Sequence, residues 1–264
     1  MSESSNLTSD FVMKLEHLSA SRINTYLQCP LKYHAIYDLE MKGDPHPAAL
    51  MGKAVHKMFE MSSMARHMNR HQSLHDPFGL IEPACKKYGV RAEDHKAIRE
   101  MTHNAIQWGY FRKIEKSLGF EVGFLCSLPD GTKVKGFIDR LDPNEVIDLK
   151  TNSRVFSDED LETNWQARVY NWAARKINPG LVGNVMVAFW VLRHRVQRVV
   201  KTLEDAKKDE ISMMELAGKI RESKSPTGFQ SGLCPYCPYS KECRLYSGKV
   251  SEKEKFLELR KRWD

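Results

Sequence analysis

Apolar residues recur at helical spacing through the first 117 residues. Ser19 is a suitable N-cap for an amphipathic helix that is interrupted at Cys29-Pro30 and resumes as far as Tyr37. Two further helices are predicted over about 48–70 and over 93–117, where apolar residues are spaced three or four positions apart. This part of the chain therefore reads as helical.

The pattern then changes to short β-type runs. Strands are predicted over 120–128, 134–141 and 146–149, with proline-containing turns between them. Beyond them the patterns predict a helix over about 158–176, strands over 183–193 and 196–203, a helix over about 204–222, and a polar helix that closes the chain. Strands with helices before and after them predict an α/β or α+β domain with a central mixed sheet.

The composition is that of an ordinary globular protein with an excess of basic residues. Of 264 residues, 41% are hydrophobic and 28% are charged, and the formal net charge is +7. This excludes a disordered or collagen-like chain, and no apolar run approaches the roughly 18 residues of a spanning helix. The first residues lack the features of a signal peptide, so we expect a cytoplasmic protein with no membrane partner. The positive charge favours an anionic partner such as nucleic acid.

Two carboxylates are predicted to face each other across a hairpin in residues 136–150. A two-residue turn at 143–144 would place Asp139 directly opposite Asp148. Opposed like charges destabilise an antiparallel pair, unless a divalent cation binds between them. Lys150 follows Asp148 by two residues and therefore projects from the same strand face. The alternative is an exposed polar sheet face that happens to carry these charges, since the register could shift by one residue.

Three more polar residues could belong to the same site. His56, on the helix over 48–70, could supply a nitrogen ligand, although a histidine considered alone is more often structural. Gln166 and Tyr170 are four residues apart on the next predicted helix and share a face. Such a pair suits contact with a substrate phosphate, and it also occurs by chance on helix surfaces.

The cysteines favour a metal site over a disulfide framework, because cytosolic thiols stay reduced. Cys234, Cys237 and Cys243 crowd together near the end of the chain. Three thiolates cannot complete a four-coordinate site. Zinc sites more often combine two close pairs, whereas three clustered thiolates with one distant thiolate can also hold a [4Fe–4S] cluster. The spacing leaves iron–sulfur, zinc and free thiols open. The two isolated cysteines, expected to be small buried residues, are Cys85 and Cys126.

Taken in order, these motifs resemble the RecB-type branch of the PD-(D/E)XK nuclease superfamily. The matching elements are Gly52-x-x-x-His56, Gly136-x-x-Asp139, Asp148-x-Lys150 and Gln166-x-x-x-Tyr170. The run Cys234-x2-Cys237-x5-Cys243, with Cys29-Pro30 far upstream, further resembles the iron–sulfur members of that branch. Those members include CRISPR-associated RecB-like exonucleases, the AddB-type nuclease domain and phage exonucleases. The resemblance covers most of the chain, from about Ser19 to Cys243.

The resemblance implies a restriction-endonuclease-like core and a role for each matching residue. The residues implied for binding of Mg²⁺ or Mn²⁺ are His56, Asp139, Asp148 and the carbonyl of Leu149. The residues implied for catalysis are Asp139, Asp148, Lys150, Glu121, Gln166 and Tyr170, with Lys150 acting on the attacking water and the last two orienting DNA. The residues implied for a [4Fe–4S] cluster, with zinc as the alternative, are Cys29, Cys234, Cys237 and Cys243.

The leading functional hypothesis is a metal-dependent DNA exonuclease that acts on single-stranded ends in recombination, repair or phage DNA processing. Arg154 and Arg168 lie near the predicted site and could contact DNA, or they could be solvated surface residues. No GxxxxGK[ST] motif is present, so a separate helicase or recombinase is the expected partner of an enzyme that does not work alone. The alternatives are a prespacer-trimming nuclease that works with a CRISPR integrase, and a DNA-end-binding scaffold without activity.

The predicted organisation is a flexible leader over 1–18 and a single nuclease domain over 19–264. The parts of that domain are a helical part over 19–117, a catalytic sheet core over 118–203, and a C-terminal part over 204–264. The C-terminal part is expected to contain a helix, the cysteine loop closed by the metal cluster, and a final helix.

Overall fold

The computed structural model describes residues 13–41, 43, 45–223, 227–240, 243 and 245. The helices are α1 (Ala20–Gln28), α2 (Pro30–Tyr37), α3 (Pro47–His67), α4 (Ile81–Tyr88), α5 (His95–Gln107), α6 (Asp158–Thr163), α7 (Trp165–Ile177) and α8 (Leu203–Glu222). The strands are β1 (Gly119–Ser127), β2 (Lys133–Leu141), β3 (Glu145–Lys150), β4 (Val185–Val191) and β5 (Arg195–Lys201). Among the described helices, none is both long and apolar enough to cross a membrane.

The chain divides into two compact units. The larger unit comprises Pro45–Ser127 and Val134–Ile211. The smaller unit comprises the described residues of Met1–Asp44, Leu128–Lys133 and Ser212–Asp264. Each unit therefore gathers segments that are distant in sequence.

The larger unit is built on a five-stranded sheet with the order β1-β2-β3-β4-β5. β2 and β3 pair antiparallel, β3 and β4 pair parallel, and β4 and β5 pair antiparallel. The parallel pair requires a crossover connection, which α6 and α7 provide. This confirms the predicted mixed sheet flanked by helices in an α+β fold.

One face of β3 and β4 packs against α3, α4 and α5. Ile147 and Leu149 of β3 and Trp190 of β4 are buried in this core together with apolar residues of the three helices. Because side chains alternate along a strand, this burial turns Asp148 and Lys150 to the other face of β3. The hydrophobic core thus sets the register of the charged residues.

The structure corrects the predicted helices at several points. The helix predicted over 93–117 ends at Gln107, where Gly109 takes the left-handed φ of +84°. The helix predicted over 158–176 is two helices that separate at Asn164. α4 was missed because its eight residues are too few to show a clear helical period. The three strands predicted over 120–149 are confirmed within one residue at each end.

The smaller unit contains α1 and α2. The Ser19 hydroxyl accepts the Arg22 backbone N–H at 3.1 Å, which confirms the predicted N-cap, and Cys29-Pro30 separates the two helices as expected. Leu18, which the sequence assigns to the leader, is buried, and its N–H donates to the Lys133 carbonyl at 2.7 Å. The final polar helix predicted from the sequence lies outside the described residues.

Candidate active site

The β2–β3 hairpin has the predicted turn and register. The Asp142 N–H donates to the Glu145 carbonyl at 2.8 Å across the two-residue turn. Arg140 pairs with Ile147. Extended by one residue, this register would place Asp139 opposite Asp148, and the charge of Asp139 acts on the Asp148 carboxyl group.

Asp148 is buried and joins a network with Lys150 and α7. Its Oδ2 lies 2.6 Å from the Lys150 ammonium, and its Oδ1 accepts the Gln166 amide at 2.6 Å. Lys150 also donates to the Gln166 Oε1 at 2.6 Å. The Tyr170 hydroxyl lies 2.7 Å from the Gln166 amide and 3.4 Å from the Asp148 Oδ1. The network fixes the rotamers of both Asp148 and Lys150.

Asn164 determines where α7 begins and hence where Gln166 points. Its side-chain oxygen accepts the backbone N–H groups of Gln166 and Ala167 at 2.9 and 3.2 Å. This is the N-cap arrangement that satisfies the first free donors of a helix. The break before α7 places Gln166 in the first turn, and Tyr170 lies one turn later on the same face.

His56 reaches the sheet from α3. Its Nδ1 lies 3.0 Å from the Asp139 Oδ1, while the Asp139 Oδ2 accepts the Leu149 N–H at 2.6 Å. Gly52, one turn earlier on α3, faces Thr151, and a Cβ at Gly52 would lie 3.4 Å from the Thr151 hydroxyl. A Cβ there would be in ordinary van der Waals contact, so the available space alone does not require glycine at this position.

Glu121 enters the site through an irregularity in β1. Its φ is +46°, a left-handed value that non-glycine residues rarely adopt. The Leu118 N–H donates to the Leu141 carbonyl, while the Phe124 ring lies over Gly136. Between these two contacts β1 contains one residue more than β2, as in a β-bulge, which re-aims a side chain. This backbone geometry directs Glu121 toward the site, which the sequence alone did not show.

His56, Glu121 and Asp139 form a candidate cation site. One ligand atom from each of these residues lies within 4.8 Å of the others. An imidazole with hard carboxylate oxygens suits Mg²⁺ or Mn²⁺. Asp148, also predicted as a ligand, lies outside this group and contacts Lys150 and Gln166, and its role as a ligand stays a prediction. The role implied for the Leu149 carbonyl stays a prediction.

Burial and neighbouring charges shift the pKa values of three groups at this site. Burial and the Asp139 carboxylate raise the pKa of Glu121 to about 7. Burial disfavours the charged form of His56, but the charge and hydrogen bond of Asp139 outweigh it and raise the pKa of His56 to about 9. Burial also raises the pKa of Asp148, which the Lys150 ammonium opposes. Clustered acids that retain protons in this way would release them to a bound divalent cation.

His56, Glu121 and Asp139 line an open cleft of about 620 Å³. α3 contributes two lysines to its lining, Lys53 and Lys57. Lys57 is paired with Glu60 at 2.8 Å, whereas Lys53 is exposed. Neither lysine was predicted as part of the site, although Lys53 lies three residues before His56 and therefore on the same face of α3.

The two arginines predicted to bind DNA have different environments. Arg154 is exposed in the loop after β3, and its carbonyl accepts the Asn152 amide. Arg168 is paired with Asp209 at 2.6 Å, and its guanidinium lies 3.6 Å from the centre of the Trp165 ring. Arg168 thus has structural contacts with α7 and α8, and the DNA contacts of both arginines stay a prediction.

The four cysteines of the terminal motif come together in the smaller unit. Cys29, Cys234, Cys237 and Cys243 line one apolar cavity. Burial raises the pKa of the Cys237 thiol, and the neighbouring Cys243 and Cys29 add to this effect. Among the described cysteines, no three sulfur atoms lie within 4.8 Å of one another. Of the isolated pair, Cys85 is buried as expected, whereas Cys126 is half-buried.

Comparisons with known proteins agree with this geometry. The family model of the PD-(D/E)XK nuclease superfamily matches residues 17–244. No curated protein matches the chain. The crystal structure of a "Putative exonuclease" from Eubacterium rectale is similar in fold, with a TM-score of 0.56 and 16% sequence identity over 96% of this chain and 97% of that one. The chain belongs to the PD-(D/E)XK nuclease superfamily.

Proposed function

We propose that this protein is a metal-dependent exonuclease that hydrolyses phosphodiester bonds at the ends of single-stranded DNA. The observation that carries the proposal is the convergence of two sets of residues. His56, Glu121 and Asp139 approach within 4.8 Å of one another, and the Asp148–Lys150 ion pair lies at the adjoining positions of β3. The first set is suited to binding a cation. The Asp148–Lys150 pair is suited to orienting an attacking water and accepting its proton.

His56, Glu121 and Asp139 would hold Mg²⁺ or Mn²⁺, with Asp148 across the hairpin as a further carboxylate. When bound, the ion would lower the pKa of a coordinated water and neutralise charge on the phosphate. The site fits the ion because it brings carboxylates together with burial that disfavours their charge, so a cation relieves a real electrostatic cost.

Lys150 would orient the attacking water and stabilise negative charge on the phosphate. Its side chain is about one quarter exposed, so Lys150 can reach a substrate while Asp148 and Gln166 hold its ammonium group in place. Gln166 forms hydrogen bonds with both Asp148 and Lys150, and the Tyr170 hydroxyl forms hydrogen bonds with Gln166 and Asp148. Their proposed contact with the DNA strand would come in addition to this positioning role.

The position of the site supports a preference for flexible single strands. The candidate ligands come from α3 on one side and from β1 and β2 on the other, so the scissile phosphate must enter between a helix and the sheet. A single strand adapts to such a cleft more easily than a stiff duplex does. Its affinity should come mainly from phosphate contacts, with Arg154 and Arg168 as candidates.

We further propose that the four cysteines of the smaller unit hold a [4Fe–4S] cluster, with zinc as the alternative. Their common cavity and the resemblance to iron–sulfur nucleases support this assignment. Three clustered thiolates with one distant thiolate can hold such a cluster, whereas zinc sites more often combine two close cysteine pairs. The role of the cluster would be to tie distant segments of the smaller unit together.

The biological setting proposed for this activity is DNA recombination, repair or phage DNA processing in the cytoplasm. A separate helicase or recombinase would supply the single-stranded ends.

The proposed function is tested with end-labelled linear single-stranded DNA and Mn²⁺. Wild-type protein should degrade the DNA, chelation of the metal should stop the reaction, and Asp148→Asn should abolish it. Asp158→Asn, which changes an exposed acid in α6, is the matched control and should retain full activity. Cleavage by Asp148→Asn at the wild-type rate would remove this site from consideration.

A further inference from the structure

The outward face of β2 carries a basic residue and an aromatic residue in alternation with buried ones. Val134 and Ile138 are fully buried, while Lys135 is exposed and Phe137 is 54% exposed. Leu125, on the neighbouring strand β1, is 65% exposed. Strand alternation therefore turns a large ring outward although buried residues flank it closely along the strand.

Two glycines make room for the aromatic rings on the two faces of the β1–β2 hairpin. Gly123 of β1 faces Phe137, and a Cβ at Gly123 would lie 3.2 Å from its ring. On the inner side, Phe124 covers Gly136 and packs edge-on against Tyr170. The Phe124 ring thus packs in the interior, whereas the Phe137 ring lies next to Gly123 and stays about half exposed.

Phe137 stands beside the candidate cation site. Asp139 follows it by two residues on β2, which is roughly 7 Å of extended chain. Glu121 precedes Gly123 by two residues on β1, so both strands lead from the ring to a candidate ligand. A strand whose phosphate reaches Asp139 would have its next base within reach of Phe137.

The charge next to the ring suits a polyanion. Lys135 is exposed two residues before Phe137, and it forms no ion pair among the described residues. Single-strand binding surfaces combine basic residues that track phosphates with aromatic rings on which bases stack. A surface that binds an apolar protein partner has no use for an exposed lysine between Phe137 and the β1–β2 turn.

We propose that Phe137 is a base-stacking residue and Lys135 a phosphate contact of a track that leads the substrate strand along β2 to Asp139. This inference deepens the proposed function and rests on it. Phe137 and Leu125 would supply an apolar surface that accepts any base, and Lys135 would bind the phosphate that follows. The track predicts recognition of unpaired bases without sequence preference.

The test measures binding separately from cleavage by using Asp148→Asn as the parent protein. Its dissociation constant is determined for a linear single-stranded oligonucleotide and for an abasic strand of equal length. Phe137→Ala should weaken binding of the base-containing strand roughly tenfold and leave binding of the abasic strand unchanged, while Phe137→Trp should restore binding. Lys135→Ala should weaken both and reduce the slope of log K against log salt by about 0.7.

Val200→Ala and Lys96→Ala are the controls, since they remove an exposed apolar and an exposed basic side chain elsewhere in the larger unit. Both should bind like the parent. The inference would be overturned if Phe137→Ala bound DNA as tightly as the parent, or if it lost equal affinity for the base-containing and the abasic strand. A change of oligomeric state without a change in DNA binding would also overturn it. Any of these results can occur while wild-type protein still cleaves DNA, so they are distinguishable from failure of the proposed function.

Discussion

The Asp139 carboxylate accepts the backbone N–H of Leu149 at 2.6 Å. The donor lies between Asp148 and Lys150, so one oxygen of Asp139 is tied to the strand that carries both. The other oxygen faces His56 at 3.0 Å. Asp139 therefore joins the cation site on the α3 side to the Asp148–Lys150 pair on the α7 side, and this bond fixes their relative position.

Lys150 should be required for cleavage and dispensable for binding. Lys150→Met retains the length of the side chain but removes the charge held by Asp148 and Gln166, so the cleavage rate at saturating DNA should fall by about 100-fold or more. Single-turnover cleavage and DNA binding are measured side by side. Lys176→Met, which changes a partly exposed lysine of α7, serves as the control and should cleave normally. A Lys150→Met protein with unimpaired turnover would contradict the role assigned to Lys150.

Gln166 should act by positioning Asp148 and Lys150. Gln166→Met keeps the volume but loses the hydrogen bonds to Lys150, Asp148 and Tyr170, and cleavage should fall by about 10- to 100-fold. The fold should be unaffected, which near-ultraviolet circular dichroism can check. If the variant bound DNA as poorly as it cleaved it, Gln166 would be chiefly a DNA contact.

His56 should contribute to metal binding. His56→Ala removes the nitrogen ligand, so the Mn²⁺ concentration that gives half-maximal cleavage should rise at least about tenfold. The rate is measured over a range of Mn²⁺ concentrations, and Mn²⁺ binding is measured by calorimetry. His67→Ala, on the same helix and hydrogen-bonded to the Ile114 carbonyl, is the matched control. An unchanged metal requirement in His56→Ala would exclude His56 from the site.

The cysteine cavity should give a visible spectrum. Protein purified without oxygen should be brown with broad visible absorbance, and Cys234→Ala should lose the colour and become less soluble. Cys85→Ala, which changes a buried cysteine of the larger unit, should keep the colour. A colourless preparation with one zinc per chain would make the iron–sulfur assignment wrong.

Strand ends should matter for activity. Because the candidate site lies between α3 and the sheet, linear single-stranded DNA should be degraded much faster than a circular strand of the same sequence or a blunt duplex. The three substrates are compared with Mg²⁺ and with Mn²⁺. Equal rates on linear and circular strands would identify an endonuclease that does not need a strand end.

The local features of the site can be predicted from the sequence. Its turn residues and strict alternation fixed the β2–β3 hairpin, the register of Asp139 with Asp148, and the shared face of Asp148 and Lys150. These features depend on neighbours within a few residues, and a period of two leaves little freedom once Ile147 and Leu149 must be buried. The superfamily could likewise be inferred from the order of the motifs.

The positions of Glu121, Gln166 and His56 in the site depend on the tertiary structure and could not be predicted from the periodicity of the sequence. Glu121 reaches the cation site through a left-handed backbone value that breaks the alternation of β1. The N-cap at Asn164 divides a continuous helical pattern and aims Gln166 at Asp148 and Lys150 instead of at solvent. His56 meets Asp139 because the core beneath α3 fixes that helix against β3 and β4. The N-cap at Asn164 is local, but the contacts of Gln166 with Asp148 and of His56 with Asp139 join residues far apart in the chain, so packing selects them.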